Sequence, residues 1–257
     1  MITCALQGGL GNQMFQIAAT SALAWRNGDA ALFDLSNHHL PLQGRKVSNY
    51  TENIFRNVEF GSPPPPQKIY HEPHHHHAQI PYEDAMALIG YFQSEKYFMD
   101  YSDEIKKLFS VDDATRGYIF EKYGSDLLDG ATSIHIRRGD YLKFKTIHPP
   151  CSREYYIGAM ASLSPETKYL IFSDDPQWCL DNFKMEKFRV VEGEQDWVDL
   201  YLMSECKNNI IANSSFSWWS AWLNSSPDKR IIAPQKWFGP DGPQDEYDLV
   251  PSTWERR

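Results

Sequence analysis

Two adjacent arginines stand beside a carboxylate in residues 135–141, HIRRGDY, directly after an apolar segment that favours a strand. Neighbouring residues of a strand point to opposite faces, so one of Arg137 and Arg138 can bind a ligand while the other ties down the loop. A guanidinium suits planar, bidentate contacts with phosphate oxygens. The segment therefore predicts an oxyanion site, with a salt-bridge network on a surface loop as the structural alternative.

Residues 8–13, GGLGNQ, form a second candidate anion site, because apolar residues at helical spacing follow them. Glycines let backbone N–H groups approach an anion, and the N-terminus of the next helix adds partial positive charge. A tight turn that serves packing alone fits the same residues. Gly9 and Gly11 also match two glycines of the dinucleotide-binding fingerprint, and Asp34 ends the next predicted strand, but Met14 occupies the position of the third glycine.

Two further polar segments follow predicted strands. Residues 213–217, NSSFS, open a Trp-rich helix. Hydroxyl groups and the free N–H groups of a helix start favour phosphate, although the same residue types cap helices. Residues 173–175, SDD, place carboxylates where they can accept hydrogen bonds from a guanine edge or bind ribose hydroxyls, or else cap a helix. Ligands bind at the carboxyl ends of strands in open α/β sheets, so these segments can converge on one site.

The polar segments belong to an alternation of strands and helices that is typical of parallel sheets. Strands are predicted at 2–6, 30–33, 133–136, 169–172, 188–191, 209–212 and, as the last strand, 231–233. Helices are predicted at 154–163, 197–206 and 216–223. Residues 36–80 are expected to be irregular, and their four-histidine run at 74–77 favours an exposed polar loop over metal binding. The predicted domains are 1–125 and 126–257.

Composition and charge exclude several classes of protein. The net charge of −9 argues against non-specific nucleic-acid binding, which needs a positive surface. Four cysteines without a CxxC pair provide neither a disulfide framework nor a zinc site. No apolar run reaches the roughly 18 residues of a transmembrane segment, and residues 1–6 fit a first strand better than a signal peptide. A cytoplasmic protein is expected, with peripheral attachment at the inner face of the membrane as an option.

Four motifs, in this order along the chain, resemble those of the bacterial α-1,2-fucosyltransferases, glycosyltransferase family 11. They are GGLGNQMFQ at 8–16, GYFQS at 90–94, HIRRGDY at 135–141 and ANSSFSWW at 212–219, and Ser220 stands where glycine is expected. The resemblance implies a GT-B-like α/β fold, in which two Rossmann-like halves face a cleft. It also implies an inverting, metal-independent transfer of L-fucose from GDP-β-L-fucose, without a cofactor. The acceptor would be the 2-hydroxyl of a terminal galactose on an oligosaccharide or a glycolipid.

The resemblance also implies roles for particular residues. His135 would lie near the nucleotide, Arg137 and Arg138 would bind the diphosphate, and Asp174 or Asp175 would recognise guanine. The residues expected to bind the phosphates or the base are Asn213, Ser214, Ser215, Phe216 and Ser217. The loop of the first half that is expected to close over the diphosphate is Gly9-Leu10-Gly11-Asn12.

Asp140 is the candidate general base for the acceptor hydroxyl because it lies beside the arginine pair, and pairing with Arg137 or Arg138 is its structural alternative. No Asp-x-Asp triplet is present, so cationic side chains and helix N-termini are expected to neutralise the leaving group. Two other classes of protein stay open at this point. One is an NAD-dependent oxidoreductase that uses the glycine segment and Asp34, and the other is a non-catalytic glycan-binding module.

Overall fold

A computed structural model describes residues 1–35 and 46–257 of the chain, so residues 36–45 of the segment expected to be irregular lie outside the described residues. The described residues form two compact units. One unit comprises Met1–Ser110 and Asp245–Pro251, and the other comprises Val111–Gln244 and Ser252–Arg257. The boundary expected from the sequence, between residues 125 and 126, falls inside a helix of the second unit, Asp113–Leu128.

The first unit is built on a small parallel sheet. Its elements are β1 (Thr3–Cys4), α1 (Leu10–Arg26), β2 (Lys68–His71), β3 (Met86–Ile89) and α2 (Ser102–Leu108). The strand order is β1-β3-β2, and isolated parallel bridges at Ala31 and Phe33 stand where a strand was predicted at 30–33. The expectation of irregular structure up to residue 80 was wrong at β2, whose residues are mostly exposed and therefore lack an apolar pattern.

The second unit contains a six-stranded sheet in which every pairing is parallel. Its elements are α3 (Asp113–Leu128), β4 (Thr132–Ile136), α4 (Arg153–Ala161), β5 (Tyr169–Ser173), α5 (Pro176–Asn182), β6 (Phe188–Val190), α6 (Asp196–Glu205), β7 (Asn208–Ile210), α7 (Ser215–Leu223), β8 (Ile231–Ala233) and β9 (Glu255–Arg256). The strand order β6-β5-β4-β7-β8-β9 is that of a doubly wound nucleotide-binding fold. The order reverses between β4 and β7, which is where such folds bind ligands.

The expectation that residues 231–233 form the last strand was wrong, because β9 pairs with β8. Strand β9 consists of only two residues, Glu255 and Arg256, and both are polar. The sequence there therefore has no apolar pattern that would predict a strand. The other strands of this unit lie within two residues of their predicted bounds. Strand β4 is buried at all five positions, and buried strands of this kind read as apolar runs.

The core beside the switch point is apolar and tightly filled. One cluster of fully buried isoleucines crosses the four central strands. Its members are Ile134, Ile171, Ile210 and Ile232. The tryptophans of α7 also belong to the core, since Trp218 and Trp219 are fully buried and Trp222 nearly so. This packing holds the carboxyl ends of β4 and β7 in a fixed position.

Candidate active site

Arg137 ties the loop after β4 to itself and to the end of β5. Its Nη2 lies 2.6 Å from Oδ1 of Asp140, and its Nη1 lies 3.1 Å from Oδ2 of Asp174. Both terminal nitrogens of this guanidinium therefore have carboxylate partners, one within the loop and one after β5. Of the two roles predicted for the arginine pair, this geometry fits the role of loop anchor.

Arg138 is held differently, by its Nε and by the face of its guanidinium. The Nε donates to Oδ2 of Asp175 at 3.0 Å, and Cζ lies 4.2 Å from the ring centroid of Trp178. Within residues 1–35 and 46–257, neither Nη group of Arg138 has a hydrogen-bond partner. Two parallel N–H donors on a fixed plane are the arrangement that binds an oxyanion in a bidentate manner.

The two carboxylates at the end of β5 hold the arginine loop in place. Asp174 accepts the backbone N–H of Arg138 at 2.8 Å, and Asp175 caps α5 by accepting the Trp178 N–H at 3.3 Å. The approach of the two loops is close. A Cβ added to Gly139 would lie 2.5 Å from Oδ2 of Asp174, so only glycine fits there without a shift of the carboxylate. Recognition of guanine by Asp174 or Asp175 stays a prediction.

His135 is a buried, neutral imidazole at the end of β4. It exposes 5% of its surface, and its ring centroid lies 5.4 Å from that of Phe216 on α7. Burial, with a smaller effect of the nearby Arg137, lowers the pKa of His135 to about 3. Its Nδ1 has no hydrogen-bond partner among the described residues. A buried polar atom left without a partner is rare and points to a ligand or a solvent molecule.

Asn213 fixes the junction between β7 and α7 rather than projecting freely. Its Nδ2 donates to the carbonyls of Pro149 (3.0 Å) and Trp237 (2.8 Å), and the backbone carbonyl of Asn213 accepts the Tyr141 hydroxyl at 2.9 Å. The side-chain amide is thus committed to two loop carbonyls, and the backbone of the same residue holds Tyr141. Tyr141 belongs to the arginine motif, but no pattern in the sequence predicts this contact.

The start of α7 presents backbone donors rather than side-chain caps. Ser214 is the N-cap residue and makes no side-chain capping bond, while the Ser217 hydroxyl donates to the carbonyls of Ala212 and Ser214. The first N–H groups of any helix lack intrahelical acceptors and carry partial positive charge. Ser215 and Phe216 lie in this first turn. An anion at this position would therefore meet main-chain donors more than serine hydroxyls, and its binding there stays a prediction.

The glycine loop lies at the carboxyl end of β1, in the first unit. Gly9 is the N-cap residue of α1, and Leu10, Gly11 and Asn12 form its first turn. Buried glutamines of α1 brace the neighbouring loops: Gln13 donates to the Gly8 carbonyl at 2.9 Å, and Gln16 donates to the Gly90 carbonyl at 3.0 Å. The glutamines of this motif are structural, a role that the sequence did not reveal. Closure of the loop over a diphosphate stays a prediction.

Three general features of the described ranges, 1–35 and 46–257, bear on the type of site. No group of three or more His, Cys, Asp or Glu side chains there is arranged to hold a metal ion. The four cysteines are free thiols. No helix there is both long enough and apolar enough to cross a bilayer.

The fold and the site define an α/β protein of the GT-B-like class with two Rossmann-like units. A solved structure of the NodZ alpha-1,6-fucosyltransferase soaked with GDP-fucose has this fold, with a TM-score of 0.52 and 14% sequence identity over 86% of this chain and 92% of that chain. The model of glycosyl transferase family 11 matches residues 1–241. The chain belongs to this family, as its motifs predicted.

Two curated relatives from Escherichia coli match nearly the whole chain. An alpha-1,2-colitosyltransferase is 29% identical over 100% of this chain and 98% of its own length. The O-antigen biosynthesis glycosyltransferase WbnK is 31% identical over 93% of this chain and 95% of its own length. Membership of a glycosyltransferase family argues against the NAD-dependent oxidoreductase alternative. In addition, Met14, at the position of the third fingerprint glycine, is fully buried in α1.

Proposed function

We propose that the chain is an inverting galactoside α-1,2-fucosyltransferase that transfers L-fucose from GDP-β-L-fucose to the 2-hydroxyl of a terminal galactose. One observation supports the proposal above the others. The two free Nη groups of Arg138 and the first turn of α7 flank the switch point of a sheet, in a chain of family 11. A nucleoside diphosphate is the ligand class that such donors bind.

The chemistry assigned to Arg138 is charge stabilisation on the leaving group. In the transfer, the bond between the fucose anomeric carbon and the diphosphate oxygen breaks, and GDP leaves with additional negative charge. Donors that are fixed before the reaction stabilise this developing charge more than the ground state, which is the requirement for catalysis. The contacts of Arg138 with Asp175 and Trp178 supply such preorganisation. The proposal therefore needs no divalent metal for the departure of GDP.

Asp140 is assigned to the acceptor side of the reaction as general base. The galactose 2-oxygen forms the new bond to the anomeric carbon, and its proton passes to the Asp140 carboxylate. The contact of Asp140 Oδ1 with Arg137 orients the carboxylate and leaves Oδ2 as the proton acceptor. Asp140 thus combines the two roles that the sequence left open, an ion pair and a base.

A colitosyl donor is the second candidate, because one relative that matches the full chain is named an alpha-1,2-colitosyltransferase. Both candidates use a nucleotide-linked sugar and form an α-1,2 linkage. They differ in the contacts made to the transferred sugar. A direct comparison of the fucose and colitose nucleotides as donors separates them, and the better donor has the higher kcat/KM.

The decisive experiment is a coupled assay of GDP release from GDP-fucose with lactose or N-acetyllactosamine as acceptor, in the presence of excess chelator. We expect release that depends on the acceptor and persists with the chelator. A glycan-binding module would bind the sugars without releasing GDP, and an oxidoreductase would bind NADH without binding GDP in calorimetry. Loss of activity with the chelator would contradict the metal-independent mechanism.

A further inference from the structure

The loop that follows Asp140 presents apolar side chains to solvent. Leu142 exposes 39%, Phe144 46% and Ile147 36% of their surface. They alternate with Lys143 and Lys145, and every position from 142 to 147 is exposed. Clustered exposed apolar residues mark an interaction surface, whereas single ones need no explanation.

This exposure belongs to a loop whose main chain is held by several backbone hydrogen bonds. Within the loop, the Leu142 N–H donates to the Arg138 carbonyl and the Ile147 N–H to the Phe144 carbonyl, both at 2.9 Å. From outside, residues 239–241 brace it, with the Gly239 N–H bonded to the Ile147 carbonyl at 2.9 Å and the Asp241 N–H to the Thr146 carbonyl at 2.9 Å. The apolar side chains are therefore held in solvent by an ordered backbone.

Aromatic rings pack against one another at the base of the loop, and the exposed apolar residues are not part of this packing. His148 stacks on Tyr141 with 5.0 Å between ring centroids and an interplanar angle of 19°. The Phe238 ring also contacts His148, with 5.5 Å between ring centroids. The loop is thus anchored through His148, and the side chains of Leu142, Phe144 and Ile147 are left for a partner.

The charge of the loop is opposite to that of the protein as a whole. The chain carries a net charge of −9, yet residues 141–152 contain two lysines and no carboxylate. Among the neighbouring acids, Asp140 is paired with Arg137 and Asp241 is exposed on the bracing segment. An apolar surface with interspersed lysines is complementary to anionic headgroups above an acyl region.

We propose that residues 142–147 dock the protein onto an anionic phospholipid bilayer. Leu142, Phe144 and Ile147 enter the boundary between headgroups and acyl chains, and Lys143 and Lys145 bind lipid phosphates. The docking surface begins two residues after Asp140, so the arginine cluster is held close to the membrane surface. This inference does not depend on the identity of the transferred sugar.

The test is co-sedimentation of the full chain with vesicles of phosphatidylcholine, with and without phosphatidylglycerol. We expect binding to the vesicles that contain phosphatidylglycerol, weakened about tenfold by Phe144→Ser because an apolar ring is removed from the boundary. The double variant Lys143→Gln and Lys145→Gln is expected to bind the phosphatidylglycerol vesicles more weakly than the unaltered chain, whatever the salt concentration. Met185→Ser is the matched control, since Met185 is 63% exposed outside this loop and is expected to leave binding unchanged.

Three results would overturn the docking proposal: no vesicle binding by the unaltered chain, equal binding to neutral vesicles, or unchanged binding of Phe144→Ser. If Phe144→Ser lowers turnover of a soluble oligosaccharide while vesicle binding is unchanged, the loop contacts the acceptor instead. GDP calorimetry on each variant reports the integrity of the second unit separately. Vesicle binding by a chain that transfers no fucose would refute the proposed function and leave the docking surface intact.

Discussion

The guanidinium of Arg138 lies over the indole of Trp178, with Cζ 4.2 Å from the ring centroid. The two residues position each other through Asp175, which accepts the Arg138 Nε with one oxygen and caps the helix of Trp178 with the other. A stacked guanidinium keeps its plane while its outer N–H groups stay available. The cluster thus aims Arg138 before any ligand arrives.

Arg138→Lys is expected to weaken GDP binding by about 10- to 100-fold, because an ammonium group provides neither the bidentate donors nor the stacking plane. Isothermal titration calorimetry with GDP measures the effect. Arg189→Lys is a matched control, since Arg189 also pairs with a carboxylate, Asp126, and lies over an aromatic ring, Tyr123. Near-normal GDP affinity of Arg138→Lys would reject its assignment as the diphosphate clamp.

Gly139→Ala is expected to weaken donor binding because the new Cβ would lie 2.5 Å from Oδ2 of Asp174 and push this carboxylate away from the Arg138 N–H. Gly158→Ala provides the control in the same unit. Gly158 lies within α4 and an added Cβ there meets no atom within 4 Å, so alanine should preserve or raise stability. Comparable GDP affinities for the two variants would show that the close approach at Gly139 is unimportant.

Asp140→Asn separates the two roles of this carboxylate. If Asp140 is the base, we expect kcat to fall by about 100-fold or more, while GDP affinity changes only slightly. Asparagine keeps a carbonyl oxygen that can accept the Arg137 hydrogen bond now made by Oδ1, so the loop should stay folded. A parallel loss of GDP binding and thermal stability would assign Asp140 to architecture alone.

The arginine site could be predicted from the sequence in its location but not in its internal pairing. Apolar runs mark β4, β5 and β7, and the rule for open sheets places their carboxyl ends together. The contacts of Arg137 and Arg138 with Asp174 and Asp175 span about 36 residues, and only the register of β4 on β5 brings those positions together. Periodicity carries no information about such a register, so which carboxylate meets which arginine had to come from the structure.

Residues with polar side chains were the hardest to place from sequence. Gln16 is fully buried and links the Gln7 N–H to the Gly90 carbonyl. Nothing in the periodicity distinguishes such a bridge from a ligand-binding amide. Asn213 was expected at the donor because it precedes a predicted helix start. Its Nδ2 donates to two loop carbonyls, and its role at the donor stays a prediction. Buried polar residues need partners, but a sequence does not say whether those partners are protein or ligand.

The strained loop at 90–94 provides a stability test in the first unit. Phe92 is fully buried and has a φ of 53°, a region that bulky side chains avoid. The Glu72 carboxylate accepts the N–H groups of Tyr91 at 2.6 Å and Phe92 at 2.9 Å.

Glu72→Ala leaves these donors without their acceptor and is expected to lower the free energy of unfolding by about 1–3 kcal/mol. Urea denaturation measures the loss, with exposed Glu52→Ala as the control. Equal stability of the two variants would show that Glu72 does not hold the strained turn.

The buried imidazole of His135 makes the stability of the fold depend on pH. Its pKa is about 3 in the folded chain, against the usual 6.5, so the unfolded chain binds a proton that the folded chain excludes between these values. Stability contributed by the neutral form is present above 6.5 and is lost as the pH falls below it. Between about pH 7.5 and about pH 5.5 this loss amounts to about 1.4 kcal/mol.

Urea denaturation at these two pH values tests the effect. On acidification, the free energy of unfolding of His135→Gln should fall by about 1.4 kcal/mol less than that of the unaltered chain. The variant of an exposed histidine, His71→Gln, should behave as the unaltered chain does. Burial also lowers the pKa of His75, His77 and His148, so some pH dependence remains in every variant. An unchanged pH dependence in His135→Gln would mean that this imidazole does not stay neutral in the fold.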